Sequence, residues 1–230
     1  MTSTSQTNAV TDKEPADLEG RLIFAAKTGD LAGVQYCVEQ GADIRADNDY
    51  ALRRAAANSH FDVIKYCVAQ GCDIRMEDDY PLQQAAANNR FDVLLYCVTQ
   101  GSDIRANKDF ALLRAAEHGH LDMIAYCVGQ GSDIFAHDNY VLRCAAGNGH
   151  LDIVKYWVAQ GGDIRAGDNR ALYLAEEKGQ AAVAQYCREQ TALLQEKETA
   201  AAQKEIAENK AAQAAARTHK HRNFRNFLRR

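Results

Sequence analysis

The sequence predicts an all-α solenoid, in which stacked helix-turn-helix repeats with short finger loops precede a long C-terminal helix. The first observation is an internal repeat of thirty residues, marked by glycines at Gly41, Gly71, Gly101, Gly131 and Gly161. The second is that each repeat holds two segments with apolar residues at helical spacing. Self-similarity at a period of about 20 to 50 residues is typical of stacked units that bury their apolar faces against one another.

The repeats divide the chain into three parts. We predict a disordered N-terminal segment (1–18), a repeat array (19–190) and an Ala-rich helical extension with a basic tail (191–230). In the last copy, Glu176 and Arg188 occupy slots that are apolar elsewhere, as expected for a cap with one face in water. The units of the array are an N-cap at 21–40, repeats at 41–70, 71–100, 101–130 and 131–160, and a C-cap at 161–190.

The first helix of a repeat is illustrated by the run YALRRAAANSH, which begins at Tyr50. Leu52, Ala55 and Ala56 recur at helical spacing, and Asp49 or Tyr50 is the expected N-terminal cap. The paired alanines recur in the other repeats and let neighbouring helices approach closely.

The second helix is the run FDVIKYCVAQ, which begins at Phe61. Asp62 lies in its first turn, where a carboxylate favours the helix dipole. We expect Gly71 to end this helix, because the residue after a helix usually needs the left-handed conformation that glycine adopts freely. The remaining run, CDIRMEDD, is too short for another helix and predicts an extended arm with a tight turn.

Helix, turn, helix and arm in this order resemble the ankyrin repeat, over residues 21–190. The resemblance rests on the Leu-x-x-Ala-Ala core of the first helix, the Gly-His-Leu-Asp link at 119–122 and 149–152, the VIKYCV-type second helix and the Gly-x-Asp-Ile lead into the arm. The repeat sequence is similar to arrays of giant DNA viruses of amoebae, while its alanine content equally suits an intracellular bacterium.

Two departures from the ankyrin pattern have consequences. The period is thirty residues rather than about 33, and the shortening falls in the arm and turn, which predicts short fingers. The Thr-Pro-Leu-His motif appears as Tyr-Ala-Leu-Arg at 50–53, with proline kept only at Pro81, so the usual Thr and His hydrogen-bond networks are not expected.

The seven cysteines are interpreted as part of the architecture. Five of them occupy one slot of successive units: Cys37, Cys67, Cys97, Cys127 and Cys187. Packed helices lie about 10 Å apart, whereas a disulfide needs Cα atoms within about 7 Å. We therefore expect core thiols in a reducing compartment, with no metal and no cofactor.

The sequence contains no recognisable catalytic motif, such as a glycine-rich phosphate loop, Cys-x-x-Cys, His-Glu-x-x-His or a nucleophile elbow. The His120-Leu121-Asp122 and His150-Leu151-Asp152 triplets resemble acid–base couples. The histidine slot, however, holds Arg90 and Gln180 in other units, so the repeat itself explains these residues. We predict that the protein is not an enzyme.

In ankyrin arrays the partner lies on the concave face, which the fingers and first helices form. The resemblance therefore implies binding at the slots of these elements where the repeats differ, and aromatic residues and arginine dominate such interfaces. An alternative is that the arm arginines, which follow isoleucine in the arms, pair with Asp47 or Glu77 and serve the fold. The arm arginines are Arg45, Arg75, Arg105 and Arg165. The predicted partner-binding residues are Arg45, Asp47, Arg75, Glu77, Arg105, Lys108, Leu113, Phe135, His137, Arg143 and Tyr173.

The C-terminal part begins at Thr191, which stands where the other units have their terminating glycine. We predict that the last second helix continues from about Ala181 to around Arg217, because this stretch is rich in good helix formers. Its large apolar residues are too few for a coiled coil. A solvated helix, either free or folded back on the array, is favoured over a dimerising one, and a monomer over a homo-oligomer.

Charge separates the tail from the array. Residues 191–230 carry nine Lys and Arg against four Glu, a net charge of +5, which leaves −9 for residues 1–190. Phe224, Phe227 and Leu228 are spaced i, i+3 and i+4 among the basic residues. The segment 217–230 suits nucleic acid, an acidic protein or an anionic membrane, while a targeting or secretion signal and a frayed terminus are the alternatives. The basic residues are Arg217, Lys220, Arg222, Arg225, Arg229 and Arg230.

Taken together, these features predict a non-catalytic protein–protein interaction module that binds an unidentified protein through its concave surface, in the role of an inhibitor or a host-directed effector. The alternative is attachment to nucleic acid or an anionic membrane through 217–230. The sequence has no apolar run of roughly 18 residues and no signal-peptide core, so we expect a cytoplasmic protein, or a host-cytosolic one for an effector.

Overall fold

The computed structural model describes residue 15 and residues 17–227, with side chains as far as residue 213. Within that part of the chain the fold consists of twelve helices and no strand, which confirms the all-α solenoid ending in a long helix. The predicted disordered segment lies almost entirely outside the described residues. The helices are α1 (Leu18–Thr28), α2 (Leu31–Glu39), α3 (Ala46–Ala57), α4 (Phe61–Ala69), α5 (Met76–Ala87), α6 (Phe91–Thr99), α7 (Ala106–His118), α8 (Leu121–Gly129), α9 (Ala136–Asn148), α10 (Leu151–Ala159), α11 (Ala166–Glu177) and α12 (Ala181–Phe227).

The helices form two layers of unequal spacing. First helices (odd numbers) of neighbouring units contact one another far more extensively than second helices (even numbers) do. Small side chains explain the difference, because Ala55, Ala56 and their counterparts are fully buried between first helices. Second helices meet through larger groups, such as the rings of Phe61 and Tyr96, whose centres are 5.5 Å apart. The stack therefore curves, with the first helices on its concave side.

The second helices end as the sequence predicts. In α4 the N–H of Gly71 donates to the carbonyl of Val68 at 3.0 Å, and the N–H of Cys72 donates to that of Cys67 at 3.1 Å. This is the Schellman pattern, which needs a left-handed residue. Gly71 supplies it with a φ of +93°.

The segment between two repeats differs from the predicted extended arm. It is a tight turn followed by three consecutive left-handed residues, with φ between 49° and 64°, inside the bounds of α3, α5, α7, α9 and α11. The right-handed part of α3 begins at Tyr50, and the Asp49 carboxylate accepts the N–H of Asp73 in the next repeat. Aspartate and asparagine tolerate this conformation better than other non-glycine residues, and they fill most of these places. The left-handed turns are 47–49, 77–79, 107–109, 137–139 and 167–169.

Two aspartates support this turn in the first full repeat, Asp43 and Asp49. Asp43 Oδ1 accepts the N–H of Arg45 at 2.9 Å, and the same bond recurs in the four later units. Asp49 is buried, and its Oδ2 accepts the N–H of Asp73 in the next repeat at 2.9 Å. The second bond depends on a residue 24 positions away, so it stabilises the turn only once two repeats have stacked.

The residue before each second helix also links neighbouring units. Nε2 of His60 lies 2.9 Å from the carbonyl oxygen of Lys27, and Nε2 of His120 lies 2.7 Å from that of Ala87. Arg90 donates to a carbonyl of the preceding unit from the same slot at 2.9 Å. The histidines of the His-x-Asp triplets thus hold the stack together.

The last unit has polar residues on its outward face. Arg188 Nη2 lies 2.5 Å from Glu176 Oε1, across slots that hold valine and alanine in the inner repeats. Ala184 stands where the inner second helices bury isoleucine, leucine or valine. These changes leave a shallow end face with paired charges, as suits a face that no further repeat covers.

Helix α12 continues unbroken from Ala181 to Phe227, ten residues beyond the predicted end near Arg217. Its 47 residues span about 70 Å. Leu194 packs against the array, and Arg165 donates to both carboxylate oxygens of Glu198 at 3.0 and 2.7 Å. Residues 195–213 are all exposed, so this part of the helix points away from the array and does not fold back on it.

Candidate functional site

The eleven predicted partner-binding residues all lie on the first helices, or on the turns just before them. We call the exposed side chains of the first helices, together with the left-handed turns, the inner surface. The structure brings these residues to one side of the array. Whether they bind a partner stays a prediction.

One slot of the first helices supports the left-handed turns, and it holds Arg53, Gln83 and Arg143 in three of the repeats. Arg53 Nη1 lies 2.6 Å from Glu77 Oε1, while its Nη2 donates to the carbonyl of Asp47 at 3.2 Å. Gln83, in the same slot of the next repeat, donates to the carbonyl of Asp78 at 2.7 Å. Arg143 pairs with the Asp138 carboxylate. Glu77 and Arg143 are therefore engaged within the array, and a partner would meet them as ion pairs.

Leu113 and Tyr173 occupy that same slot but have no polar group to support the turn. Leu113 is half-buried and packs against the core. Tyr173 is 51% exposed, and the guanidinium of Arg170 lies 4.9 Å from its ring centre. An aromatic face this exposed, with an arginine beside it, is typical of residues that dominate protein interfaces.

Phe135 replaces an arm arginine and has a packing reason to do so. Its ring makes a T-shaped contact with Trp157, with centres 5.3 Å apart, and Phe135 remains 39% exposed. Trp157 fills the slot that holds cysteine in five other units, and its Nε1 donates to the carbonyl of Ile134 at 3.3 Å. Gly162 makes room for the indole. The sequence signal for this cluster was the single Trp in the cysteine slot.

The arm arginines do not make the pairs suggested as an alternative to binding. Arg45 and Arg105 lie 3.8 Å from Asp49 and Asp109, while Arg75 lies 3.9 Å from Asp73. The pairing with Asp47 or Glu77 is thus wrong. At these separations, and with arginine side chains about 60% exposed, such contacts contribute little to stability. The three guanidinium groups form an accessible row beside the turns.

His137 and Lys108 meet across a repeat boundary. Nε2 of His137 lies 2.7 Å from the carbonyl oxygen of Lys108, within the third left-handed turn. This contact supports the left-handed turn 107–109, where the first-helix slot holds Leu113, which has no polar group to bond the turn. The ring of His137 therefore has a role within the fold, whereas the Lys108 side chain is exposed.

A polar cluster at the exit of the first helices was missed by sequence reasoning. Tyr140 donates to Glu117 Oε1 at 2.6 Å, and Arg114 Nη1 lies 2.8 Å from Glu117 Oε2. Burial opposes ionisation of Glu117, but these two hydrogen bonds outweigh it and lower the pKa of this carboxyl below its ordinary value. The half-buried Cys144 lies beside this cluster, and its thiol pKa is raised by burial and by Glu117. A thiol held in its neutral form is a poor nucleophile.

The ladder cysteines are all buried thiols. Burial raises the pKa of Cys97 and of Cys127 to about 12. Cys72 lies against Cys67 within the Schellman turn. These thiols act as small apolar core groups.

The structure describes the basic tail only as far as residue 227. Arg217, Lys220, Arg222 and Arg225 lie on the backbone of α12. Arg229 and Arg230 lie outside the described residues. The tail thus begins more than a dozen residues beyond Glu198, which a hydrogen bond from Arg165 ties to the array.

The fold is a repeat solenoid, and the exposed side chains of its inner surface differ from one repeat to the next. A family model of ankyrin repeats, with three copies, matches residues 22–108 and 112–197. The chain belongs to the ankyrin-repeat family. A search of curated proteins finds no significant match to it.

Among the described residues, no cluster of three or more His, Cys, Asp or Glu side chains is arranged to hold a metal ion. None of the helices described is long and apolar enough to cross a membrane. Ankyrin repeats are generally protein–protein interaction modules and are typically non-catalytic.

Proposed function

We propose that this protein is a non-catalytic binding module whose inner surface grips a partner protein. The observation that carries the proposal is the exposed aromatic and arginine character of this surface, above all Tyr173, Phe135 and the row formed by Arg45, Arg75 and Arg105. A rigid stack displays these groups on a backbone that needs no further ordering on binding, which favours affinity. An inhibitor or a host-directed effector in the cytosol would act in this way, by occupying a surface of its target.

The inner surface suits a partner of mixed character. The arm arginines offer exposed guanidinium groups to carboxylates, while Tyr173 and Leu113 offer apolar contact at the slot where other repeats have Arg or Gln. The ion pairs of Arg53 with Glu77 and of Arg143 with Asp138 keep the turns between them in place. We propose that Tyr173 contributes most to the affinity and that Leu113 adds apolar contact.

The test is affinity capture of the partner with the full chain and with a Leu113→Gln/Tyr173→Gln variant. Both substitutions copy Gln83, the residue that this slot has in the second full repeat, so the fold should tolerate them. We expect capture of one protein by the wild type and a loss of at least about tenfold in affinity for the variant. Leu95→Gln, on the second helices, is the matched control. Equal capture by both variants would contradict the proposal.

A second candidate function is attachment of the array to nucleic acid or an anionic membrane through residues 217–230. It is favoured by the unbroken helix α12, which carries this basic segment away from the acidic array. Binding of this kind weakens steeply with salt, because each neutralised phosphate releases counterions. Titration of full-length protein and of an Arg222→Gln/Arg225→Gln variant with anionic vesicles and with duplex DNA, at two salt concentrations, tests it. Binding that changes neither with the salt concentration nor with the two arginine substitutions would refute this function.

A further inference from the structure

A second accessible surface lies on the second helices, away from the inner surface. Leu95 is 45% exposed and Val98 is 36% exposed, one turn apart on α6. Ala125 and Val128 take the same two slots on α8 and are half-buried. These four residues are called the outer apolar patch below.

The patch is a local departure from the repeat. The slot of Leu95 and Ala125 holds lysine in the repeats on either side of the patch, at Lys65 and Lys155. Lys65 Nζ lies 2.7 Å from Asp62 Oδ1 and 4.7 Å from the ring centre of Phe61, so this slot can be filled well by a cation. Because nearly half of Leu95 is exposed, core packing does not account for an apolar residue here.

Acidic residues border the patch. Asp62, Asp92 and Asp122 are exposed in the first turns of α4, α6 and α8. Asp62 pairs with Lys65 and Asp92 with Arg90, so the local charge is largely balanced. Residues 1–190 as a whole carry a net charge of −9. A segment that fits the patch itself is therefore apolar, and a positive net charge attracts it to the acidic array as a whole.

The C-terminal segment of the chain has this chemistry. Residues 217–230 contain six Lys and Arg and no acidic residue, with Phe224, Phe227 and Leu228 at i, i+3 and i+4. We infer that this segment of one copy of the chain docks on the outer apolar patch of a second copy. The apolar residues meet Leu95 and Val98, while the arginines lie near the acidic border.

The geometry of α12 makes the contact intermolecular. The helix runs unbroken from Ala181 to Phe227, and no glycine or proline lies within it to allow a sharp bend. Arg165 fixes its direction at Glu198 through two hydrogen bonds. Phe224 follows 26 residues later, about 39 Å farther along the axis, so the tail is carried away from its own array.

Each chain then offers one tail and one patch, and association runs head to tail. This inference goes beyond the proposed function, since it leaves the inner surface free for a partner. The patch is small, so the association is of the weak, concentration-dependent kind.

The test is sedimentation velocity of the full chain between about 1 and 200 µM, the range of weak interfaces. Leu95→Gln copies Gln185, which has this slot in the last unit, and is expected to weaken association about tenfold through lost apolar contact. Leu95→Lys, which copies Lys65, weakens it further by repelling the basic tail. Phe224→Gln/Phe227→Gln removes the other half of the contact. Thermal unfolding of the Leu95 variants, expected to match the wild type, shows that the array is intact.

Mixing separates this contact from other forms of self-association. Neither Leu95→Lys nor Phe224→Gln/Phe227→Gln associates alone, but the first retains a good tail and the second a good patch, so their mixture forms a complex of one copy of each. Variants that associate like the wild type, a mixture that stays monomeric, or a wild type that stays monomeric while binding anionic vesicles or DNA would each overturn the inference. Capture of the inner-surface partner is unaffected by Leu95→Gln in either case, so the two proposals fail separately.

Discussion

Exchanging Trp157 and Gly162 for the residues of the preceding repeat tests how the stack stays packed where one unit departs from the others. Trp157 is 1% exposed and stands in the slot of Cys127. A Cβ added at Gly162 would lie 2.1 Å from Cζ3 of the indole, so this glycine makes space for the ring. The double variant Trp157→Cys/Gly162→Ser copies the Cys127 and Ser132 pair.

Each single substitution is expected to destabilise the protein. Trp157→Cys leaves a cavity and removes the ring partner of Phe135, at a cost of about 3–5 kcal/mol. Gly162→Ser forces a side chain into the indole, and such overpacking costs about 1–3 kcal/mol. In the double variant the serine enters space that the ring has left. We therefore expect its loss to be smaller than the sum of the single losses by about 2 kcal/mol.

Urea unfolding followed by far-UV circular dichroism measures the four free energies. Fluorescence is unsuitable because Trp157 is the only tryptophan of the chain. The control combines Gly162→Ser with Leu95→Gln, whose effects should add within about 0.5 kcal/mol because the sites are far apart. Additive losses in Trp157→Cys/Gly162→Ser would refute the packing argument.

Three further predictions concern the turns and the long helix. Burial raises the pKa of Asp79 above its ordinary value of 3.8, so the folded state loses stability as the pH rises through this raised pKa and the carboxyl ionises. Asp79→Asn should therefore raise the free energy of unfolding at about pH 7 but not at about pH 3, as unfolding curves at the two pH values would show. Lys108 has a φ of 59°, and Lys108→Asn, which copies Asn48, should raise the free energy of unfolding by about 0.5–1 kcal/mol. An unchanged thermal melt would contradict the cost assigned to a left-handed lysine. Arg165→Gln releases Glu198 and should lower the helix content by fraying α12, and an unchanged far-UV spectrum would argue against this anchor.

The helical framework could be predicted from the sequence because its signals are local. The apolar spacing of Leu52, Ala55 and Ala56 lies within one helix, and the left-handed glycine at Gly71 ends the next. The departure from this rule is the end of α12. A basic stretch after Arg217 looks like a terminus, but nothing in it breaks a helix, and the helix continues to Phe227.

The turns could not be predicted, because their stability is not local. A left-handed turn of three non-glycine residues is unfavourable in an isolated peptide. In the array, the Asp49 carboxylate reaches the N–H of Asp73, and Arg53 reaches the carbonyl of Asp47 and the carboxylate of Glu77. The same turn moves Asp49 towards Arg45, which is why the expected pairing of the arm arginines with Asp47 or Glu77 fails.

The candidate site was predictable as a set of slots, but its contacts were not. The slots predicted on the first helices and turns do lie on one side of the array, since the repeat places equivalent residues at equivalent positions. Which of them are free for a partner depends on neighbours from other units. His137 is engaged by the carbonyl of Lys108, while Tyr173 has only Arg170 over its ring and stays accessible.

Departures from the repeat are of two physical kinds, and the difference indicates where function lies. Inside the stack they are compensated, because Trp157 requires the absent side chain of Gly162 and in turn supports Phe135. Leu95 is 45% exposed and Tyr173 is 51% exposed, and most other units have a polar residue in each of these two slots. A change that the core does not demand is free to serve a contact outside the molecule. Tests of binding therefore belong at Tyr173 and Leu95, and tests of stability at Trp157.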